Sequence, residues 1–137
     1  MQVYLPLNSP VDFAITKLLA HGVAMLLESQ LPKLVVSTMS KEVRRGRVFI
    51  DWSQNDRIKT TVSVYSLRAR PTPTVSTPLR WEEVEAHVGA PADALSFGPD
   101  EVLERVDRHS DLFAPVAELE QVLPPQVVEL LAGPVER

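Results

Sequence analysis

The residues that could do chemistry are concentrated in the middle of the sequence. Residues 41–70 contain eight cations and three acids, the cations being Lys41, Arg44, Arg45, Arg47, Arg57, Lys59, Arg68 and Arg70. This stretch is basic although the whole chain has a net charge of −4. Because attraction depends on the local potential, a basic segment with acidic flanks can bind a polyanion such as a nucleic acid. A solvated charged surface is the alternative interpretation.

The sequence gives little support to hydrolase or zinc chemistry. No cysteine is present, which excludes thiolate metal sites and disulfides. The histidines, His21, His87 and His109, fall in separate predicted helices without the spacing of metal ligands. There is no Gly-rich phosphate loop, and no apolar run approaches the roughly 18 residues of a membrane span.

The first helix that must position these groups has clear start signals. Ser9 can cap it, Pro10 fits the first helical position, and Asp12 falls at the capping-box site. Apolar residues recur at three- and four-residue spacing and predict one buried face, formed by Val11, Ile15, Leu18, Leu19, Val23, Leu26 and Leu27. Pro32 should end the helix.

Four stretches rich in β-branched and aromatic residues predict strands, at residues 3–7, 34–39, 47–53 and 60–67. The last two strands are expected to form a hairpin around a short polar segment. In the third strand, alternation places Asp51 on the face opposite the more apolar one.

The remainder of the chain predicts a connector followed by helices. Three prolines make residues 71–78 irregular, and helices are predicted at residues 81–87, 99–108 and 125–131, the last closed by Gly133 and Pro134. This order predicts an α+β fold with a mostly antiparallel sheet and packed helices. We expect residues 1–137 to form a single partial domain, with a sheet and basic hairpin (2–70), a Pro-rich connector (71–80) and C-terminal helices (81–137).

The basic segment also carries a resemblance to a known family. The run Arg44-Arg45-Gly46-Arg47-Val48-Phe49-Ile50-Asp51-Trp52-Ser53-Gln54-Asn55, with Lys59-Thr60-Thr61 and Tyr65-Ser66-Leu67-Arg68-Ala69-Arg70 after it, resembles the second half of the polymerase domain of bacterial ligase D, in the archaeo-eukaryotic primase superfamily. Shorter pieces at residues 2–7, 34–39, 75–81 and 111–116 agree, so the resemblance runs from about residue 2 to residue 116.

The resemblance implies a metal-binding role for Asp51. This residue matches the third carboxylate of a site in which three carboxylates hold two divalent metals, and a hard oxygen ligand suits Mg²⁺ or Mn²⁺. A strand carboxylate paired with a neighbouring arginine is the alternative. The family's other two carboxylates form an Asp-x-Asp pair, which occurs nowhere in this sequence. Because a single carboxylate cannot hold two metals, we expect the chain to be inactive as a polymerase by itself.

The resemblance also implies nucleotide-binding and phosphate-binding residues. Arg44 and Gln54 match positions near the incoming nucleotide. Arg68 and Arg70 match a basic pair, and arginine can grip phosphate with two parallel hydrogen bonds. Gln2 stands where the family has a triphosphate-contacting histidine, and glutamine can donate a hydrogen bond but carries no positive charge.

The resemblance implies part of a primase-type nucleotidyltransferase of bacterial double-strand-break end joining, acting on DNA ends and nucleoside triphosphate in the cytoplasm at the nucleoid. The missing polymerase half, a DNA ligase and a Ku-like protein are the implied partners, and no membrane is. Two alternatives stay open: a degenerate, non-catalytic module that binds nucleic acid or nucleotide, and a structural or interaction domain. Because strand edges left unpaired invite pairing with another chain, we also expect a homo-oligomer.

Overall fold

The structure, a computed structural model, describes residues 1–91 and 93–132, in which one long helix is followed by four short strands and then by four further helices. The helices are α1 (Phe13–Gln30), α2 (Trp81–Ala86), α3 (Pro99–His109), α4 (Ala114–Glu118) and α5 (Pro125–Ala132). The strands are β1 (Val35–Val36), β2 (Val48–Phe49), β3 (Leu67–Arg68) and β4 (Thr74–Val75). The α+β class is confirmed. The chain divides into a first unit, Met1–Asn8 with Val62–Gln121, and a second unit, Ser9–Thr61 with Val122–Arg137. The predicted single partial domain stays a prediction.

In the second unit, α1 forms as predicted but begins later. Asp12 is the cap, because its Oδ1 accepts a hydrogen bond from the backbone N–H of Ile15 at 2.8 Å. Ser9 and Pro10 therefore precede the helix, and the predicted start is wrong by one turn. The helix ends at Gln30, just before Pro32, as expected from the missing N–H of proline.

The buried stripe of α1 differs from the predicted one. Ala24 is fully buried, and the ring of His21 stacks on that of Trp52 with centroids 4.1 Å apart. Three members of the predicted apolar face are exposed, namely Leu18, Val23 and Leu26. The helix packs against β1 and the 3₁₀ turn Trp52–Gln54, so these neighbours decide which residues are covered.

β1 and β2 form a parallel pair, with Val35 opposite Val48 and Val36 opposite Phe49. Val36 is almost completely buried, which confirms the predicted interior strand around it. The predicted hairpin between residues 47–53 and 60–67 is wrong. The reason is that β2 pairs with the β1 region instead. Backbone N–H groups of the β2 region donate to the carbonyl oxygens of Leu34 and Val36.

β3 and β4 form an antiparallel pair in the first unit, with Leu67 opposite Val75 and Arg68 opposite Thr74. β4 lies inside the stretch predicted to be irregular, because its β-branched residues follow the turn that contains the first two prolines. Val75 also bridges to Phe97 in antiparallel fashion. With one parallel and one antiparallel pair in the described residues, the expectation of a mostly antiparallel sheet is wrong.

Residues 3–7 form no strand, contrary to the prediction, because no other described segment offers them a ladder of hydrogen bonds. Asn8, with a left-handed φ of 48°, follows this segment. Its Nδ2 donates to the carbonyl oxygens of Val116 and Leu119, at 2.9 and 2.6 Å. Gln121 also donates to this segment, from its backbone N–H to the carbonyl oxygen of Leu7 at 2.7 Å and from its side chain to that of Pro6 at 2.8 Å.

The helices predicted from local signals at α2, α3 and α5 are confirmed. In α3, the Glu101 side chain accepts from the backbone N–H of Gly98 at 2.7 Å, closing the N-terminus before Pro99. The expected closure of α5 at Gly133 and Pro134 lies outside the described residues. Within the described part of the chain, no helix has the length and apolar character that crossing a membrane requires.

Candidate functional site

A groove with about 800 Å³ of space opens in the first unit, and three of the predicted site residues line it: Gln2, Arg68 and Arg70. Arg68 is fixed by the pairing of β3 with Thr74 of β4. Arg70 follows two residues later, which in an extended chain returns a side chain to the same side. The fold thus brings a predicted triphosphate contact from the N-terminal segment together with the predicted basic pair.

The guanidinium groups of Arg68 and Arg70 are exposed and form no hydrogen bond or ion pair with any other described residue. Two arginines without internal partners give the groove a local positive charge that phosphate oxygens can neutralise. Gln2 is held differently, because its Oε1 accepts a hydrogen bond from the Tyr4 hydroxyl at 3.0 Å.

Aromatic side chains share the groove with these cations. Tyr4, Trp81 and Phe113 line it, and the rings of Tyr4 and Phe113 meet edge to face with centroids 5.1 Å apart. Trp81 is 62% exposed, which leaves a large ring face open to a ligand. Sequence reasoning assigned these three aromatic residues no site role, because isolated aromatics far apart in sequence give no pattern. Basic residues interleaved with exposed rings are typical of nucleic-acid-binding grooves.

An ion pair behind the groove fastens α2 to α3. Arg105 donates to both carboxylate oxygens of Glu83, at 2.5 and 2.9 Å, and also to the carbonyl of Pro78. Its guanidinium lies 4.5 Å from the centre of the Phe97 ring. The hydrogen bonds from Arg105 lower the pKa of Glu83 to about 2, and the carboxylate in turn raises the pKa of Arg105. Since Phe97 bridges to β4, this cluster supports the strand pair that carries Arg68.

Asp51 lies in the second unit, between β2 and the 3₁₀ turn that follows it. The carboxylate is exposed, but both of its oxygens accept hydrogen bonds, from the hydroxyl of Ser53 at 2.6 Å and from the amide of Gln54 at 3.2 Å. Lys59 Nζ donates to the same serine oxygen at 2.7 Å. The serine hydrogen bond is the largest cause that holds the pKa of Asp51 below its usual range. Gln54, predicted near a nucleotide, is therefore engaged with the predicted metal ligand.

Arg44, also in the second unit, makes its contacts with residues that are close to it in the sequence. Its guanidinium stacks on the Phe49 ring, 3.6 Å from the ring centre, and donates to the backbone carbonyl of Met39. Its Nε is buried without a hydrogen-bond partner among the described residues. The alternative for Asp51, pairing with a neighbouring arginine, finds no ion pair among the described residues, where its partners are Ser53 and Gln54.

The described residues do not fit a two-metal centre by themselves. No group of three or more His, Asp or Glu side chains comes together in them as a set of metal ligands. Asp51 brings one carboxylate, already occupied by two protein donors. Two divalent metals need several convergent oxygens, so the remaining ligands would have to come from elsewhere.

Comparison with known proteins places these features in a family. The family described as LigD, primase-polymerase domain, matches residues 1–113. The multifunctional non-homologous end joining protein LigD of Mycolicibacterium smegmatis is 44% identical over 116 residues, covering 85% of this chain and 15% of the relative. The multifunctional non-homologous end joining DNA repair protein LigD of Mycobacterium tuberculosis is 46% identical over 125 residues, covering 86% of this chain and 16% of the relative.

A solved structure agrees in fold as well as in sequence. The polymerase domain from Mycobacterium tuberculosis ligase D, in complex with DNA, matches with a TM-score of 0.72 and 44% identity. The match covers 82% of this chain and 38% of that chain. The chain therefore spans about one sixth of the curated LigD proteins it matches and well under half of the solved polymerase domain.

Proposed function

The chain belongs to the LigD primase-polymerase domain family, and we propose that it supplies part of a nucleotidyltransferase site acting on DNA ends in bacterial double-strand-break end joining. The observation that carries the proposal is the groove of the first unit, in which Arg68 and Arg70 have no described partner. Phosphate oxygens of a nucleoside triphosphate or of DNA are the ligands that match two such guanidinium groups.

The residues that line the groove can bind different parts of one ligand. Arg68 and Arg70 would grip phosphate, and Gln2 would add one hydrogen bond without a charge. The exposed ring of Trp81 offers a face on which a base can stack, a contact that tolerates every base. Recognition of this kind depends on the phosphate groups and on the shape of the base, so we expect the affinity to depend only weakly on DNA sequence.

Asp51 is proposed to be one of the carboxylates of the completed catalytic site, where its hard oxygens would suit Mg²⁺ or Mn²⁺. Arg44 and Gln54 are proposed to lie near the incoming nucleotide, Gln54 acting through its hydrogen bond to Asp51. The carboxylates that would complete such a site are absent from the described residues as a cluster, so catalysis needs a further polypeptide segment. DNA ligase, Ku-like protein, a second copy of this chain and action at the nucleoid stay predictions.

The salt dependence of DNA binding tests the role of the basic pair. Each phosphate contact to single-stranded DNA contributes about 0.7 to the slope of log affinity against log salt, so replacing Arg68 and Arg70 by alanine should reduce the slope by about 1.4. The matched control replaces Arg45 and Arg57, two exposed cations outside the groove, and removes the same charge. Equal slopes for the two double variants would mean that general charge, and not the groove, binds DNA.

A non-catalytic nucleotide-binding or DNA-binding module is the second candidate, favoured by the engagement of both Asp51 oxygens with protein donors. Primer extension distinguishes the two functions. The chain is combined with the unmatched part of the Mycobacterium tuberculosis polymerase domain, with and without Asp51→Asn. Extension that depends on Asp51 supports the enzyme. DNA binding without extension in the combined sample supports the binding module.

A further inference from the structure

Asp51 lies at the end of a chain of hydrogen bonds that begins on an exposed lysine. Lys59 Nζ donates to Oγ of Ser53 at 2.7 Å, and this hydroxyl donates to Oδ1 of Asp51 at 2.6 Å. Ser53 is buried, with 6% of its surface exposed, whereas Lys59 is exposed. The serine is therefore a covered link between a charged surface residue and the candidate metal ligand.

The chemistry of the three groups fixes the direction of both hydrogen bonds. An ammonium group has donors only, and an ionised carboxylate has acceptors only. The Ser53 oxygen must therefore accept from Lys59, and its single hydroxyl proton must point to Asp51. Consecutive hydrogen bonds of this kind polarise and strengthen one another. Lys59 thus holds the serine in the orientation that restrains the Asp51 carboxylate.

Lys59 belongs to a turn that is tied to α1. The backbone N–H of Lys59 donates to the carbonyl oxygen of Asp56 at 3.2 Å. The carboxylate of Asp56 accepts a hydrogen bond from Nζ of Lys17 at 2.6 Å. Because Lys17 lies on α1, the long helix fixes the turn from which Lys59 reaches back to Ser53.

Lys59 does not occupy the position that a metal would take beside Asp51. No ion pair joins the two side chains in the part of the chain that the structure describes, so the ammonium group acts on the carboxylate through the serine. An ionised carboxylate has about four acceptor sites, and the side chains of Ser53 and Gln54 take one on each oxygen. Each oxygen can therefore still bind a cation, in an orientation that protein donors set.

We propose that Lys59 is a positioning residue for Asp51, and that it acts through Ser53 to present the carboxylate to a divalent cation. Groups that hydrogen-bond to a metal ligand orient that ligand, and their loss weakens metal binding. The inference rests on the proposed function, because it needs Asp51 to bind a metal. It predicts the opposite of charge repulsion, since a lysine that acts by its charge alone lowers the affinity of a neighbouring site for a cation.

Titration of the purified chain with Mn²⁺ tests the inference, and paramagnetic broadening of the amide signals of residues 51–55 measures the binding. Lys59→Met should weaken binding by about threefold or more, which is less than the roughly tenfold or more that such a partner contributes at a complete metal centre. Lys59→Arg keeps a charged group with donors only and should restore most of the affinity. The matched control, Lys33→Met, removes the same charge from an exposed lysine elsewhere in the second unit and should leave the affinity unchanged.

A double substitution shows whether Lys59 acts through the serine. In the Ser53→Ala background, Lys59→Met should weaken Mn²⁺ binding no further, because the link to Asp51 is already broken. The side-chain amide of Gln54 donates to Oδ2 of Asp51, so its signals report on the carboxylate before any metal is added. They should shift in the Lys59→Met chain, and unchanged signals would overturn the inference.

Asp51→Asn separates failure of the inference from failure of the proposed function. Broadening that is lost in this variant, but is unchanged or stronger in the Lys59→Met chain, would overturn the inference and leave the proposed role of Asp51 standing. Broadening that persists in the Asp51→Asn chain would show that Asp51 binds no metal, and it would overturn both. The amide signals of the first unit, which lies outside this network, check that each variant stays folded.

Discussion

The ion pair between Glu83 and Arg105 gives a sharp prediction for stability. Both side chains are largely covered, at 16% and 13% exposure, and they share two short hydrogen bonds. The change is Glu83→Gln, because glutamine keeps an oxygen that can accept the hydrogen bond from the backbone N–H of Arg80 and so preserves the helix cap. What is removed is the charge that faces Arg105.

The magnitude follows from the pKa of Glu83. A fall from the ordinary value of 4.5 to about 2 corresponds to an upper limit of about 3 kcal/mol of stability at neutral pH. Since water still reaches part of the pair and Arg105 keeps its contact to Pro78, we expect Glu83→Gln to cost about 1.5–2.5 kcal/mol. The folded pKa lies below the unfolded one, so this stabilisation is complete above about pH 4.5 and disappears as the pH falls toward 2.

Urea unfolding followed by tryptophan fluorescence measures this difference. A Trp52→Phe background leaves Trp81, at the start of the helix that carries Glu83, as the single fluorescent tryptophan. The control is Glu82→Gln, which removes the same charge from an exposed neighbour. We expect a gap between the two variants at pH 7 that narrows at pH 3. Equal stabilities at pH 7, or a gap that does not change with pH, would show that the pair does not hold α2 to α3 as the geometry indicates.

Three further substitutions, the first with a matched control, test the framework around the site. Val36→Ala removes almost completely buried apolar volume and should cost about 2 kcal/mol in chemical denaturation, whereas Val48→Ala at an exposed strand position should cost less than about 0.5 kcal/mol. Asn8→Ala removes two hydrogen bonds to carbonyls and puts alanine, which disfavours a left-handed φ, at this position. We expect the free energy of unfolding, measured by thermal unfolding, to fall by about 1–3 kcal/mol. An unchanged value would mean that Asn8 does not anchor the N-terminal segment. Burial and the hydrogen bond to Asp111 raise the pKa of Tyr65 to about 12, so its stabilisation is present below about pH 10 and is lost as the pH rises toward 12. Tyr65→Phe should remove the step at high pH from the ultraviolet titration of the tyrosines, and it should make the free energy of unfolding less dependent on pH over that range. Ionisation of Tyr65 at the ordinary pH of a tyrosine would contradict the hydrogen bond to Asp111.

Local signals in the sequence are enough to predict most of the helices. Pro99 and Glu101 specify the start of α3 through contacts within one turn, and the helix forms where these residues predict it. The same logic predicts α1 and α2, although the cap of α1 is Asp12 instead of Ser9. These predictions succeed because the groups that satisfy a helix terminus lie three or four residues away in the sequence.

The strands show the limit of local signals, because a strand needs a partner that can lie anywhere in the chain. The composition around Val48 is clearly β-rich, but its pairing with Val35 in parallel, instead of with residues 60–67, depends on how α1 returns the chain. Residues 3–7 have equally strong strand composition and form no strand, since no described segment forms a ladder of backbone hydrogen bonds with them. Composition therefore shows that a segment is able to form a strand, and the segments that lie beside it in the fold determine whether the strand forms.

For the candidate site, the order of the residues is enough to establish which kinds of groups are present and which family they resemble. The basic segment, the absence of an Asp-x-Asp pair and the resemblance to ligase D polymerase domains all follow from it. The fold adds the arrangement, because it gathers Gln2, Arg68 and Arg70 around one groove and joins Gln54 to Asp51 by a hydrogen bond. Phosphate binding needs charges that converge in space, and residues more than sixty positions apart converge through packing that no local pattern encodes.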